Sequence, residues 1–218
     1  MSDWLAWQVV DSAFPVGVFA HSWGLEAAWQ AGHVDDEAAL RRFLAESIQQ
    51  TGWGVLPLMN AAYSDPERLD ELDALNHAFL TNGVANRASR VQGRTLAATA
   101  ARVWPSPAMT DLQERIQAGW AHVAPLSGVV FRTIGLPQET ARKAVLFGAA
   151  RGVLSAAVRL GVTGSYGAQR MQHAAGAQLD ATLERCRGLA AEEICQTAPI
   201  VDVLQGAHDR LYSRLFQS

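Results

Sequence analysis

Lysine is almost missing from this chain. Lys143 is the only one in 218 residues, so nearly all the positive charge is arginine. Eighteen Lys+Arg stand against 21 Asp+Glu, a formal net charge of −3. That balance excludes a broad basic field for nucleic acid and a polybasic patch for a membrane. Arginine suits bidentate pairing with carboxylates across helices or interfaces, which points toward protein partners. Cysteine is scarce as well. Cys186 and Cys195 lie late in the chain, with no CxxC and no Cys/His ligand spacing. Two free thiols are therefore expected, and no bound metal or other cofactor.

Other absences narrow the chemistry. There is no GxxxxGK[ST] phosphate loop, no GxGxxG, no HExxH and no Gly-x-Ser-x-Gly. The opening MSDWLAW has no basic stretch and no cleavage site, so no signal peptide is expected. The most apolar run, 144–160, is broken by Arg151 and Arg159 and is too short to span a bilayer. A cytoplasmic protein with no membrane association is the expectation. Strand signals are nearly absent too. Val129–Val130–Phe131 is short and isolated, and no Asn-Gly or Asp-Gly turn joins two alternating segments.

Helical signals recur throughout. Hydrophobic residues make up 49% and charged residues 18%, a globular composition long enough for a real core. Asp35 and Asp36 read as a helix start, followed by Leu40, Phe43, Leu44 and Ile48 at helical spacing. Gly52 and Gly54 are expected to bend or interrupt that helix. Pro66 opens another, which Asn82–Gly83 ends. Residues 85–104 form the next, stopped at Pro105. Thr110 or Asp111 caps one running to about His122. A small-residue helix over 138–160 is expected at the centre, because Gly148, Ala149, Ala150, Gly152, Ala156 and Ala157 let neighbours approach closely. Another follows over 165–189. The last helix keeps Ile200, Val203, Leu204, Ala207, Leu211 and Leu215 on one apolar face. With no repeat and no linker, the reading is a single all-α domain over residues 1–218, a compact bundle of roughly eight to ten helices.

The densest stretch is 11–26, DSAFPVGVFAHSWGLE. Pro15 and Gly17 stop the helix arriving there, and the Ser22 hydroxyl is placed to cap the next. Phe14, Val16, Phe19 and Trp23 are too apolar for a solvent-crossing loop. The stretch reads as an ordered loop tucked against the body, with His21 and Glu26 as its polar members. His33, His77 and His173 read as surface or structural histidines, and His122 as bonding a helix-end carbonyl. His208 with Asp209 reads as part of an exposed face. His21 with Glu26 is the best acid–base or metal candidate, although one His and one Glu do not make a metal site.

That stretch and the chain's ending resemble one family. Asp11, Ser12, Phe14, Pro15, Gly17, Phe19, His21, Ser22, Gly24, Leu25 and Glu26 fall on the N-terminal signature of the urease accessory protein UreF family. The terminal API…HDRLYSRLFQS resembles that family's ending at Ala198, Pro199, Asp202, His208, Leu211, Tyr212, Arg214, Leu215, Phe216 and Ser218. Between them, Arg87–Ala88–Ser89, Gln92–Gly93–Arg94, His122, Pro125, Gly128, 156–161, Gly164 and Gln169 keep the family's order. The resemblance covers essentially the whole chain. Val18, Trp23, Ser165 and Asp209 depart from the family pattern.

The resemblance implies a non-enzymatic adaptor in urease maturation, all-α and homodimeric. Such a protein joins a UreD/UreH-like accessory protein and recruits a UreG-like GTPase on apo-urease for GTP-dependent nickel insertion. Asp202, His208, Asp209, Tyr212, Arg214 and Phe216 are then the partner-binding candidates, on a last helix that buries its apolar stripe. The tail with Phe216 is expected to order only on binding. Phe14, Pro15, Gly17, His21, Ser22, Gly24 and Glu26 form a loop near a dimer or partner surface, or on a nickel path with His208. No catalytic residue is expected. Two other readings stand beside this: a homodimeric helical scaffold unrelated to urease, and an enzyme using His21 and Glu26 as general base and orienting carboxylate.

Overall fold

The computed structural model describes residues 4–16 and 20–218. Gly17, Val18 and Phe19 of the loop signature lie outside the described residues. The α-helices are α1 (Trp4–Val10), α2 (Leu25–Gln30), α3 (Glu37–Gly54), α4 (Leu56–Ser64), α5 (Leu69–Phe79) and α6 (Gly83–Val103). There follow α7 (Pro107–Arg115), α8 (Val123–Thr133), α9 (Gln138–Arg159), α10 (Ser165–Ala174), α11 (Gly176–Cys186) and α12 (Pro199–Gly206). No strand occurs among the described residues. Val55 alone separates α3 from α4, and Ala175 alone separates α10 from α11. This is the expected all-α bundle, and Val129–Val130–Phe131 lies inside α8.

Local chemistry sets the helix ends. Asp36 caps α3, accepting from the Ala39 N–H at 2.7 Å. Asn82 does not close α5 as expected. Its Oδ1 opens α6 instead, accepting from the N–H groups of Val84 and Ala85. Ser106 rather than Thr110 or Asp111 caps α7, because Pro107 already occupies the first helical position. That helix ends at Arg115, well short of His122. Helix α3 is interrupted directly after Gly54, as expected, but Gly52 lies within it and does not break it. A Cβ there would lie 2.3 Å from Thr182 Cγ2, so the glycine serves the close approach of α11. The expected helix over 165–189 is broken at Ala175.

Two apolar cores share α9. One gathers Leu58, Met59, Leu72, Leu126, Val130 and Leu146 from α4, α5, α8 and α9. The other gathers Leu25, Leu40, Ile48, Val153, Ala157 and Met171 from α2, α3, α9 and α10. Each fully buried Leu or Ile contributes about 1.5–3 kcal/mol by leaving water. Of the small residues of α9, Ala149, Ala150, Gly152, Ala156 and Ala157 are buried as their spacing predicts, but Gly148 is only half-buried and no neighbour approaches it. α4 and α8 also pack closely: a Cβ on Gly128 would lie 2.3 Å from the Met59 carbonyl oxygen.

A polar junction joins α5, α6 and α8. Ala121 takes a left-handed φ of 65°. Asp73 supports that turn, accepting from the N–H groups of Ala121 at 2.8 Å and His122 at 2.7 Å. His122 is fully buried and bonds Ser89 Oγ through Nδ1 at 3.0 Å, not a helix-end carbonyl. Its Nε2 meets His77 Nδ1 at 3.3 Å, and the His77 ring stacks on Trp120 at 3.6 Å. Burial pushes the His122 pKa down to about 4, with the Asp73 charge opposing and His77 reinforcing the shift.

Candidate functional site

Among its described residues, the signature loop packs Phe14, Val16 and Trp23 against the body, as their apolar character predicts. The helix before it stops earlier than Pro15. Asp11 ends α1 by accepting the Ala13 N–H on Oδ1 at 2.8 Å, a turn that Asp forms readily. Phe14 packs on Trp104 with ring centroids 5.5 Å apart. The Pro15 carbonyl accepts from Thr99 Oγ1 at 2.8 Å. Beyond Phe19 the chain turns sharply: Trp23 and Gly24 both take left-handed conformations, φ 59° and 84°. Such a φ is costly for Trp and held by surrounding structure. Here the indole lies over Gly152, where a Cβ would meet Trp23 Nε1 at 2.8 Å. Gly24 serves two needs, its φ and the close approach of α12. A Cβ there would lie 3.0 Å from Gln205 Cβ.

This turn presents Glu26 inward at the start of α2, and the end of the chain closes over it. Glu26 is 2% exposed and His208 is 0% exposed. His208 Nε2 donates to Glu26 Oε2 at 2.9 Å. Glu26 Oε1 accepts the Leu215 N–H at 2.6 Å, and Oε2 also accepts the Phe216 N–H at 3.2 Å. One buried carboxylate thus satisfies two backbone N–H groups and an imidazole from a segment nearly the whole chain away. Charge-assisted bonds of this kind are roughly twice as strong as neutral ones.

The tail then runs beside residues 20–22. The Gln217 N–H donates to the Ala20 carbonyl at 2.7 Å. The Ser22 N–H and hydroxyl both donate to the Ser218 carbonyl oxygen, at 2.5 and 3.0 Å. Ser22 therefore ties down the tail instead of capping α2. His21 Nδ1 and Ser218 Oγ share a hydrogen bond of 2.5 Å. Burial, with a smaller contribution from His208, lowers the His21 pKa. Gln30 Nε2 reaches the Ser213 carbonyl at 2.8 Å. Phe216 is buried in the second core, with Arg159 above its ring at 4.2 Å.

Five expectations are corrected here. The last helix ends at Gly206 and does not run to Leu215. A 3-10 turn, His208–Arg210, follows, because His208 must turn inward to reach Glu26. Its apolar stripe is not buried either: Ile200 is 71% exposed and Val203 73%. His208 lies on no exposed face, and Phe216 is docked without any partner. Nor do His21 and Glu26 form the acid–base pair. Glu26 is taken up by His208 and the tail, and His21 pairs with Ser218.

The remaining candidates are on the surface. Tyr212 is fully exposed, and Leu215 is 51% exposed. Asp209 lies between Arg87 at 2.5 Å and Arg214 at 3.7 Å. Asp202 accepts from Asn82 Nδ2 on its carbonyl at 2.7 Å. A cavity of about 150 Å³ lies between the helices and touches the signature loop at His21 and Trp23, with Asn76, Gln92, Asp202 and Ser218 among its other lining residues. No cluster of three or more His, Cys, Asp or Glu with metal-holding geometry occurs among the described residues. Cys186 is buried and Cys195 exposed, both free.

The comparisons with known proteins point to one family. The UreF family model matches residues 34–176. Urease accessory protein F of Arabidopsis thaliana is 38% identical over 222 residues, covering 99% of this chain and 92% of its own. The chain belongs to the UreF family. Urease accessory protein UreF of an Arthrobacter species is 32% identical, covering 97% of this chain and 95% of its own. A UreF-like protein of Schizosaccharomyces pombe is 30% identical, covering 95% and 94%. The family-model match stops short of both halves of the Glu26–His208 latch, while the plant UreF likeness runs over 99% of the chain. These relatives carry the name of accessory proteins to an enzyme, in keeping with a site whose carboxylate is spent on holding a tail. Among the described residues of this UreF-family chain, no helix is long and apolar enough to cross a membrane.

Proposed function

We propose that this chain is a non-enzymatic adaptor in urease maturation. It binds a UreD/UreH-like protein and recruits a UreG-like GTPase, so that nickel enters apo-urease in a GTP-dependent step. The reading includes a homodimer working in the cytoplasm. One observation carries it most. The clamped tail and α12 leave Ile200, Val203, Tyr212 and Leu215 exposed, together with Arg214, whose guanidinium lies 3.7 Å from Asp209. Tyr and Arg are the side chains that most often anchor an interface centre, with apolar neighbours excluding water around them. A surface of this make-up, held on a tail fixed by buried hydrogen bonds, costs little ordering entropy on binding.

The same latch argues against direct chemistry. Glu26 has no free role beyond its three donors, so His21, Glu26 and His208 hold the tail in place. The signature loop lies beneath that tail and works through it.

Reconstituted urease activation tests the reading. A Tyr212→Ala/Arg214→Ala variant, unchanged in helicity, is expected to lose partner binding and to lower nickel-dependent activation at least tenfold. Unaltered activation by that variant overturns the assignment of this surface.

A further inference from the structure

The outer face of α6 carries a second pattern, which the chain's ending meets at Arg87 through Asp209. Arg87, Val91, Arg94, Ala98 and Arg102 recur at intervals of four, three, four and four residues. That spacing keeps them within one stripe along a helix, as the ridge of a helix–helix contact requires. The opposite side, with Ala88, Gln92, Leu96 and Thr99, is buried in the bundle. Arg87, Val91, Arg94 and Arg102 are exposed.

The charge of this helix is one-sided. It bears Arg87, Arg90, Arg94 and Arg102 and not one Asp or Glu, within a chain whose net charge is −3. Arg87 is engaged by Asp209, and Arg90 lies 5.0 Å from the Trp120 ring centre. Arg94 reaches only the Gly119 carbonyl, at 3.3 Å. Among the described residues no carboxylate comes within ion-pair distance of Arg94 or Arg102. An apolar floor lies between these two arginines. A surface groove of about 470 Å³ is lined by Pro15, Arg94, Ala98, Thr99, Arg102 and Val103.

We infer that this face of α6 is a docking surface for an acidic amphipathic helix on a protein partner. The inference rests on the adaptor reading and gives one partner surface its chemistry. Carboxylates two turns apart pair with Arg94 and Arg102, and an apolar side chain between them enters the groove over Ala98. The stripe from Arg87 to Arg102 is about 22 Å long, the length of a four-turn helix. Arginine suits the task because its planar fork meets a carboxylate bidentately and is weakly hydrated. Val91 and Ala98 within the stripe favour a protein helix over a phosphate backbone, and so does the net negative charge.

Titration calorimetry with purified UreD/UreH-like and UreG-like proteins tests this. Both arginines are exposed, so Arg94→Glu/Arg102→Glu is expected to fold normally. It should bind at least one of the two proteins tenfold or more weakly, and that binding should lose most of its salt dependence. Arg94→Lys/Arg102→Lys is expected to keep most of the affinity. Unchanged affinity of the Glu variant for both proteins overturns the inference and leaves the adaptor reading intact. Unchanged protein binding with lost binding to a DNA duplex overturns it in favour of a nucleic-acid surface. A wild-type chain that binds neither protein overturns both readings.

Discussion

Glu26 and His208 are 182 positions apart and share a buried hydrogen bond of 2.9 Å, with neither side chain more than 2% exposed. The carboxylate also accepts the Leu215 and Phe216 N–H groups, so the loop signature and the chain's ending form one site. The last residues are then a fixed part of the surface, with Tyr212 and Arg214 projecting from it.

Glu26→Gln removes the charge and half the acceptor capacity at that point. An amide cannot serve all three donors, and a buried donor left unpaired costs about 1–3 kcal/mol. The tail is expected to loosen, with amide exchange at Leu215 and Phe216 at least tenfold faster while α9 is unaffected. Hydrogen exchange read by NMR checks this, and equal protection in both proteins contradicts it.

Phe216 and Tyr212 lie four residues apart and are expected to respond in opposite ways. Phe216→Ala empties a buried site in the second core and is expected to cost about 3 kcal/mol of stability. Tyr212→Ala touches a fully exposed ring and is expected to change stability by less than about 0.5 kcal/mol. Urea unfolding of the two variants separates them.

Acid is expected to weaken the fold through its buried histidines. His122 is pushed down to about 4 from an ordinary 6.5, and His21 is lowered as well. Between those values the unfolded chain binds more protons than the native one, so acid favours unfolding. Stability is complete above about pH 6.5 and falls as the pH drops toward 4, with His122 contributing on the order of 3 kcal/mol. Urea midpoints at pH 7.5, 6 and 5 measure the slope. It should be smaller in His122→Gln, and an equal slope in that variant excludes His122 as the cause.

Two glycines in helices are expected to differ in sign. A Cβ on Gly128 would meet the backbone of Met59 and Tyr63, which cannot give way. Gly128→Ala should force α4 and α8 apart and cost about 2 kcal/mol or more. Nothing lies within 4 Å of a Cβ on Gly148, inside α9. Gly148→Ala should gain about 0.5–1 kcal/mol, because Ala restricts the unfolded chain. Thermal melts of both variants check the pair.

The helices were legible where one residue governs a local event. Asp36 as a cap and the small-residue face of α9 follow from short-range spacing. The ends of α7 and α12 were not, because distant contacts decide them. The last helix has an apolar stripe that could run to Leu215, yet His208 leaves the helix to bond Glu26. Hydrophobic periodicity carries no information about that partner. Ser22 differs from its local pattern for the same reason: its hydroxyl is taken by Ser218, which nothing nearby in the sequence links to it. His21, Glu26, His208 and Phe216 stand out in the sequence, but their pairing does not. His21 goes with Ser218, and Glu26 with His208.

The adaptor reading is tested most directly by sizing the chain with its companions. Mixed at micromolar concentration with a UreD/UreH-like protein and a UreG-like GTPase, it is expected to elute with both as one larger species. Three separate peaks at that concentration would contradict it.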